Sequence, residues 1–247
     1  MKKTIFTGMA TAIVTPMTAN GIDYEALGRF LEFQIENGIN AIVVMGTTGE
    51  NATIEYADQK EIIRFTVEKV AGRVPVIAGT GSNNTAHAVM MSKEAQKLGA
   101  DGCLLVAPYY NKATQNGLVR HFAAIAGAVD IPCILYNVPS RTGSNILPET
   151  ALRLANEVEN IVGIKDTSGD MTLTEEFVRR NRDVDFKVFG GKDTLLYASL
   201  CVGAAGGVCT AGNFMPELIG AVYEKYVAGD LKGSLEAQFK LNPVRLS

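Results

Sequence analysis

The chain has 247 residues, 47% of them hydrophobic, with 23 basic and 26 acidic side chains for a net charge of −3. That length fits one large domain, near the usual size of an eight-stranded α/β barrel, and the apolar content is enough for a sizeable core. Without a basic excess there is no electrostatic footprint for nucleic acid, so a small-molecule role is favoured. The four cysteines, Cys103, Cys133, Cys201 and Cys209, form no C-x-x-C pair and sit mostly in apolar runs. They read as buried core residues in a reducing compartment, neither metal ligands nor a disulfide framework. With only His87 and His121 available, a histidine-based metal site or triad is not expected.

In chain order, Met1-Lys2-Lys3 ahead of Ile5 to Met17 has a passing likeness to a secretion signal. Gly8, Thr11, Thr15 and Pro16 interrupt its apolar core, and no cleavage-like end follows. No run reaches membrane-spanning length, so a soluble cytoplasmic protein with no membrane partner is expected. Ala10–Thr15 reads instead as a first strand. Asp23 caps a helix to Glu36 in which Leu27, Phe30, Leu31 and Ile35 form one apolar stripe. The second strand, Ala41–Met45, runs into Gly46-Thr47-Thr48-Gly49-Glu50, where glycines allow close backbone approach and hydroxyls and amides can hold a carboxylate. Thr53 caps the following helix, Glu55–Val70.

Val74–Ala78 is the third strand and Asn83–Leu98 its helix, stopped by Gly99. Cys103–Ala107 leads to Pro108-Tyr109-Tyr110-Asn111 and a helix over Gln115–Ala128. Cys133–Tyr136 leads to Asn137-Val138-Pro139-Ser140-Arg141 and a helix over Pro148–Glu157. Ile161–Ile164 ends in Lys165-Asp166-Thr167-Ser168-Gly169, followed by Thr172–Asn181. Phe186–Phe189 is closed by Gly190-Gly191 and followed by Asp193–Val202. Gly206-Gly207 opens the last strand, Gly207–Thr210, and Pro216–Ala228 is its helix; Pro148 and Pro216 suit first-turn positions.

Eight such units, about thirty residues apart, point to an α/β fold, a closed (β/α)8 TIM barrel over residues 1–229. An open doubly wound sheet is the alternative. It would ordinarily carry a glycine-rich phosphate turn after its first strand, where this chain has Pro16-Met17-Thr18-Ala19-Asn20-Gly21.

Barrel enzymes work at the C-terminal ends of their strands, and there this chain gathers its unusual residues. Lys165 stands out. An arbitrary lysine at a strand end snorkels to water, but a buried one must pair its charge or lose its proton, and the free amine attacks carbonyls. Strand parity puts Gly163 and Lys165 on one face, opposite Val162 and Ile164, with Gly163 leaving room beneath the lysine. Tyr136 ends the preceding strand, so its phenol can approach the amine and pass protons. Taken singly, the other elements have plain readings: a turn at Gly46 to Glu50, packing tyrosines at 109 and 110, a solvated Arg141. Gly190-Gly191 with Gly206-Gly207 also suit a phosphate cradle, although that leaves Lys165 and Tyr136 unexplained.

Gly46-Thr47-Thr48-Gly49-Glu50, Tyr136-Asn137-Val138-Pro139-Ser140-Arg141-Thr142-Gly143 and Gly163-Ile164-Lys165-Asp166 together resemble the dihydrodipicolinate synthase and N-acetylneuraminate lyase family. The likeness covers essentially the whole chain and implies a Schiff-base aldolase on a (β/α)8 barrel, with no metal or organic cofactor. It implies that Lys165 forms an imine with pyruvate and Tyr136 donates and accepts protons. Thr47 and Tyr110 would complete a proton relay, Tyr110 reaching the site of a neighbouring subunit in a homo-oligomer, a dimer or tetramer. Thr48 would bind the pyruvate carboxylate, the Val208 carbonyl would face the pyruvate, and Gly191 would line the pocket.

Arg141 resembles the arginine that receives the carboxylate of aspartate semialdehyde in the synthase branch, a task suited to a planar guanidinium. Condensation of pyruvate with L-aspartate 4-semialdehyde, in lysine and diaminopimelate synthesis, is therefore implied. A sialic acid or keto-deoxy sugar acid aldolase, or a keto-acid sensor, remains the alternative. Feedback-inhibited members bind lysine at a subunit interface. Where they have a histidine and a glutamate, this chain has Gln59 and His87, while Asn83 and Tyr109 are kept; lysine inhibition is expected to be weak or absent. Members usually continue into further helices after the barrel. Here the chain stops at Asn242-Pro243-Val244-Arg245-Leu246-Ser247, so most of that extension is expected to be missing, with 230–247 its remnant and assembly or turnover weakened.

Overall fold

The computed structural model describes residues 4–246; Met1-Lys2-Lys3 of the signal-like stretch and Ser247 lie outside the described residues. The chain opens with β1 (Gly8–Ala12), then an antiparallel hairpin of β2 (Met17–Thr18) and β3 (Gly21–Ile22), then α1 (Tyr24–Glu36). There follow β4 (Ala41–Val44), α2 (Tyr56–Val70), β5 (Val76–Gly79), α3 (Thr85–Lys97), β6 (Gly102–Val106) and α4 (Gln115–Ala126). The second half runs β7 (Cys133–Asn137), the single turn α5 (Pro139–Thr142), α6 (Pro148–Glu157), β8 (Ile161–Asp166) and α7 (Met171–Asn181). It ends with β9 (Lys187–Gly190), α8 (Leu196–Cys201), β10 (Gly206–Cys209), α9 (Pro216–Val227) and α10 (Leu231–Leu246).

Eight strands close in the order β1-β10-β9-β8-β7-β6-β5-β4, every neighbouring pair parallel. This is the (β/α)8 barrel, and the open sheet is ruled out. Ala10, Ala12, Ala41, Val43, Ile77, Leu104, Ile134, Val162, Phe189 and Val208 fill its interior with Phe6. Phe6 stacks on Phe189 with ring centroids 4.5 Å apart. A larger apolar layer, including Leu27, Leu31, Ile62, Ile63, Phe122 and Phe177, lies between strands and helices. Removing these side chains from water is the main favourable term, about 2 kcal/mol for each large one.

Helix starts follow side-chain chemistry. Asp23 accepts from Ala26 N at 2.9 Å, Asn84 from His87 N at 3.2 Å, and Thr114 from Gly117 N at 3.2 Å. Thr53 does not cap α2; its hydroxyl donates to Glu50 O at 3.0 Å, and Glu55 is the N-cap without a side-chain bond. The expected helix from Asp193 is split into a 3-10 turn, Asp193–Leu195, and the short α8. The Asp193 carboxylate is drawn to amides of the next loop and caps nothing locally. β1 begins at Gly8 and ends at Ala12, two residues earlier than Ala10 and three before Thr15. Cys201 is exposed, unlike the other three cysteines, since α8 turns it outward.

Strand parity fails in β8. Cys133 pairs with Ile161 but Ile134 with Gly163, so β8 holds an extra residue. Val162 therefore lies in the barrel interior although Ile161 and Ile164 both pack outward. Gly163 does not clear space for the lysine either: a Cβ there would meet Lys187 O at 2.5 Å, so its role is close strand approach.

Candidate active site

Tyr136 and Lys165 are register partners at the C-terminal ends of β7 and β8. Lys165 is 5% exposed, with Nζ 4.2 Å from the centroid of the Tyr136 ring. Among the described residues it makes no ion pair with a carboxylate. Its nearest charged neighbour in sequence, Asp166, points to the other face and is fully used. Asp166 Oδ1 accepts from Asn137 Nδ2 at 3.0 Å and Ser168 N at 3.1 Å, and Oδ2 from Ser168 Oγ at 2.8 Å and Thr174 Oγ1 at 2.7 Å. Asn137 also donates to Asn145 Oδ1 and accepts from Ile146 N. Main-chain bonds from Thr167 N to Asn137 O and Gly191 N to Asp166 O extend the strand ladder past β7, β8 and β9. Asn137 and Asp166 thus fix the strand ends that present the phenol and the amine, a positioning duty their place in the motif did not reveal.

A cavity of about 540 Å³ opens over this pair. Thr47, Thr48, Tyr136, Arg141, Lys165 and Gly191 all line it, together with Ser140, Thr167, Ser168, Lys192, Asp193, Thr210 and Arg245. Thr47 and Thr48 lie on a 3-10 turn, Thr47–Gly49, whose first amides have no intrahelical acceptor. The left-handed conformations of this loop fall on Met45 (φ 56°) and Glu50 (φ 59°), so Gly46 and Gly49 are not the residues that turn it. Such strained non-glycine residues cost about 1 kcal/mol or more each and cluster where geometry serves a site. Gly191 is needed as glycine: a Cβ would collide with Thr167 Oγ1 and come within 3.0 Å of Lys165 Cε. Thr167 Oγ1 is buried without a hydrogen-bond partner among the described residues. Gly190 and Gly206 likewise make room for Ser199 and for the backbone of Gly8, which accounts for them as packing residues and not as a phosphate cradle.

The Val208 side chain is buried in the barrel interior, and Thr210, two residues on, lines the cavity. Tyr110 is 90% exposed at φ 74° and lines no part of its own chain's cavity. Between Thr47 and Tyr136 there is a gap of about 10 Å³, roughly one water, bordered also by Asn51, Gly79 and Gly81.

Four lining residues were not foreseen as such: Lys192, Asp193, Thr210 and Arg245. Asp193 accepts from Thr210 N at 3.1 Å and Ala211 N at 2.8 Å and pairs with Arg245 Nε at 3.0 Å. Gln238 of α10 donates to Asp193 O at 2.9 Å, and its Oε1 accepts from Tyr197 N at 2.9 Å. α10 is thereby laced to the loops after β9 and β10. No sequence signal marks this, because a lone arginine near a chain end has no pattern.

A second cavity, about 270 Å³, lies between the loops after β4, β5 and β6 and is lined by Tyr56, Gln59, Ser82, Asn83, His87 and Tyr109 among others. None of its lining residues is Asp, Glu, Lys or Arg. Gln59 Nε2 is spent on Asn51 O and Ile54 O, both at 2.7 Å. His87 stacks on Tyr56 at 3.8 Å between centroids and bonds its hydroxyl at 3.0 Å; burial lowers the imidazole's pKa and favours its neutral form. Among the described residues no grouping of His, Cys, Asp and Glu is arranged to hold a metal, and no helix is long and apolar enough to cross a membrane.

Residues 5–246 match the family described as the Dihydrodipicolinate synthetase family. A 4-hydroxy-tetrahydrodipicolinate synthase of a Thermoanaerobacter species is 48% identical over 240 residues, covering 97% of this chain and 80% of the relative. One from Kosmotoga olearia is 48% identical over 246 residues, covering 97% and 82%. The crystal structure of dihydrodipicolinate synthase from Thermotoga maritima superposes with a TM-score of 0.96 at 40% identity, covering 98% of this chain and 82% of that one. The chain belongs to the dihydrodipicolinate synthetase family.

Proposed function

We propose that this chain is a pyruvate-dependent lyase of the aldolase type that condenses pyruvate with L-aspartate 4-semialdehyde to 4-hydroxy-tetrahydrodipicolinate, in the cytoplasm, for lysine and diaminopimelate synthesis. The observation that carries the reading is the buried Lys165 amine, unpaired by any carboxylate among the described residues, 4.2 Å from the Tyr136 ring at the floor of a cavity walled by Thr47, Thr48 and Arg141. The Lys165 amine adds to the pyruvate ketone, and loss of water gives the imine. Tyr136 supplies and removes the protons of that exchange, with Thr47 behind it across the water-sized gap. Thr48 and the free amides of its turn hold the pyruvate carboxylate, and Gly191 gives the imine side its room. Loss of a methyl proton makes the enamine, whose carbon attacks the aldehyde. The acceptor's amine then displaces Lys165 and closes the ring. Arg141 receives the acceptor carboxylate through its two-pronged guanidinium. The Val208 carbonyl faces the pyruvate from the β10 side. The scheme uses no metal and no organic cofactor.

The barrel over 1–229 is the catalytic unit in this reading, and 230–247 braces it. Tyr110 completes the relay in a second copy, so the working form is a homo-oligomer of two or four chains. Its exposure and left-handed backbone support that placement. Full turnover by a species sedimenting as a monomer at assay concentration would remove it. The central experiment is borohydride reduction in the presence of pyruvate, followed by peptide mass mapping. A reduced adduct on Lys165, absent from Lys165→Ala, is expected; no adduct on the native protein would end the Schiff-base reading. Preference for an uncharged sugar aldehyde would shift the acceptor to the sugar-acid class.

A further inference from the structure

The barrel order places β8, which carries Lys165, between β7 and β9. Arg141, on α5 after β7, lines the cavity over the amine from that side. From the β9 side comes a second guanidinium that belongs to no barrel unit: Arg245, in the last turn of α10. Its side chain is 37% exposed and borders the same cavity, while its partner Asp193 is 2% exposed. The ion pair uses Nε, and no other partner of the guanidinium is found among the described residues. Both oxygens of the Asp193 carboxylate also accept loop amides, which holds it against the loop after β10. Beside the Lys165 amine the cavity therefore has three cations, Arg141, Lys192 and Arg245, against one carboxylate, Asp193. One pyruvate cannot balance that field.

We propose that Arg245, positioned by Asp193, is a specificity-determining residue of this site that selects an acceptor aldehyde bearing a carboxylate. Arg245 and Arg141 flank the enamine from opposite sides, so an anionic acceptor is drawn in and its carboxylate end is held away from Lys165. This rests on the condensation described above, and it assigns α10 to the binding surface for the second substrate. Loop amides on Asp193 keep the guanidinium in place, so its orientation is fixed before the acceptor arrives.

Steady-state kinetics of Arg245→Gln and Arg245→Lys, with pyruvate and acceptor varied separately, test it. Arg245→Gln should raise the KM for aspartate semialdehyde about fivefold, the size of one partly exposed charged contact, and Arg245→Lys should recover most of the loss. The KM for pyruvate and the borohydride-trapped adduct should stay as in the native protein. The acceptor KM of the native protein should also rise with salt more steeply than that of Arg245→Gln. An unchanged acceptor KM in Arg245→Gln, or an equal loss for an uncharged aldehyde, overturns the proposal. Failure of the native protein to trap pyruvate at Lys165 overturns the condensation itself, and this selection with it, whatever the variants do.

Discussion

Two cavities share the C-terminal rim of one barrel and differ in kind. The larger, over β7 to β10, is lined by three cations around a buried amine; the smaller, over β4 to β6, has hydroxyls, amides and one imidazole disfavoured for charge. Nothing in the fold requires this division, because both are built from loops that follow parallel strands. It arises from which side chains those loops carry. The first offers cations enough to hold two carboxylates. The second can hydrogen-bond a polar ligand but offers no anion to an ammonium group. An enzyme of this build gathers anionic substrates on one side while leaving a basic amino acid unsupported on the other.

The largest expected effect probes the charged side at its chemical centre. Tyr136→Phe removes the proton carrier beside Lys165 and should lower kcat about 10²- to 10⁴-fold, with pyruvate KM nearly unchanged. A loss below tenfold would show that another group carries the proton. Next, Arg141→Ala should cut kcat/KM for the charged acceptor about 10- to 100-fold and leave the KM for pyruvate within a factor of about two; equal losses for both substrates would break the division of labour between the walls.

Acid introduces charge next to the neutral side. Burial pushes the His121 imidazole down to about 4, where it sits bonded to Thr85 Oγ1 at the start of α3. The folded value lies below the unfolded value of about 6.5, so the unfolded chain binds the extra proton. That contribution to stability is complete above about pH 6.5 and is lost as pH falls toward 4, about 1 to 2 kcal/mol less at pH 5 than at pH 7.5. Denaturant midpoints at the two pH values should show it, and His121→Asn should flatten the difference. The smallest effect concerns lysine. Millimolar lysine should leave the native enzyme uninhibited, whereas His87→Glu should create weak inhibition, about 1 kcal/mol of binding for a partly exposed pair. Strong inhibition of the native protein by sub-millimolar lysine would contradict the neutral character of the second cavity.

The eight strands were legible because each is a short apolar run bounded by glycine or proline, and α1 because Asp23 and its stripe follow helical spacing. Lys165 and Tyr136 were legible as a pair because parallel register puts matching strand ends side by side. The extra residue in β8 was not: Ile161, Val162, Gly163 and Ile164 look like any buried strand, and only pairing with Cys133 and Ile134 exposes the shift. The contribution of α10 was hidden for another reason. Ala237 and Leu241 are buried while Leu231, Phe239 and Val244 are exposed, so its apolar residues mark no single face. Its contacts with the cavity wall join residues far apart in sequence, such as Gln238 and Asp193, through polar bonds that leave no periodic trace.

The lacing of α10 to Asp193 also makes the helix a reporter. Whatever fills the cavity and favours the ordered wall must, by reciprocity, tighten the attachment of α10 by the same free energy. Amide exchange along α10, and its rate of proteolytic nicking, should then slow when the barrel mouth is occupied, allowing ligand entry to be followed at a helix that contributes no group to the bond-making step.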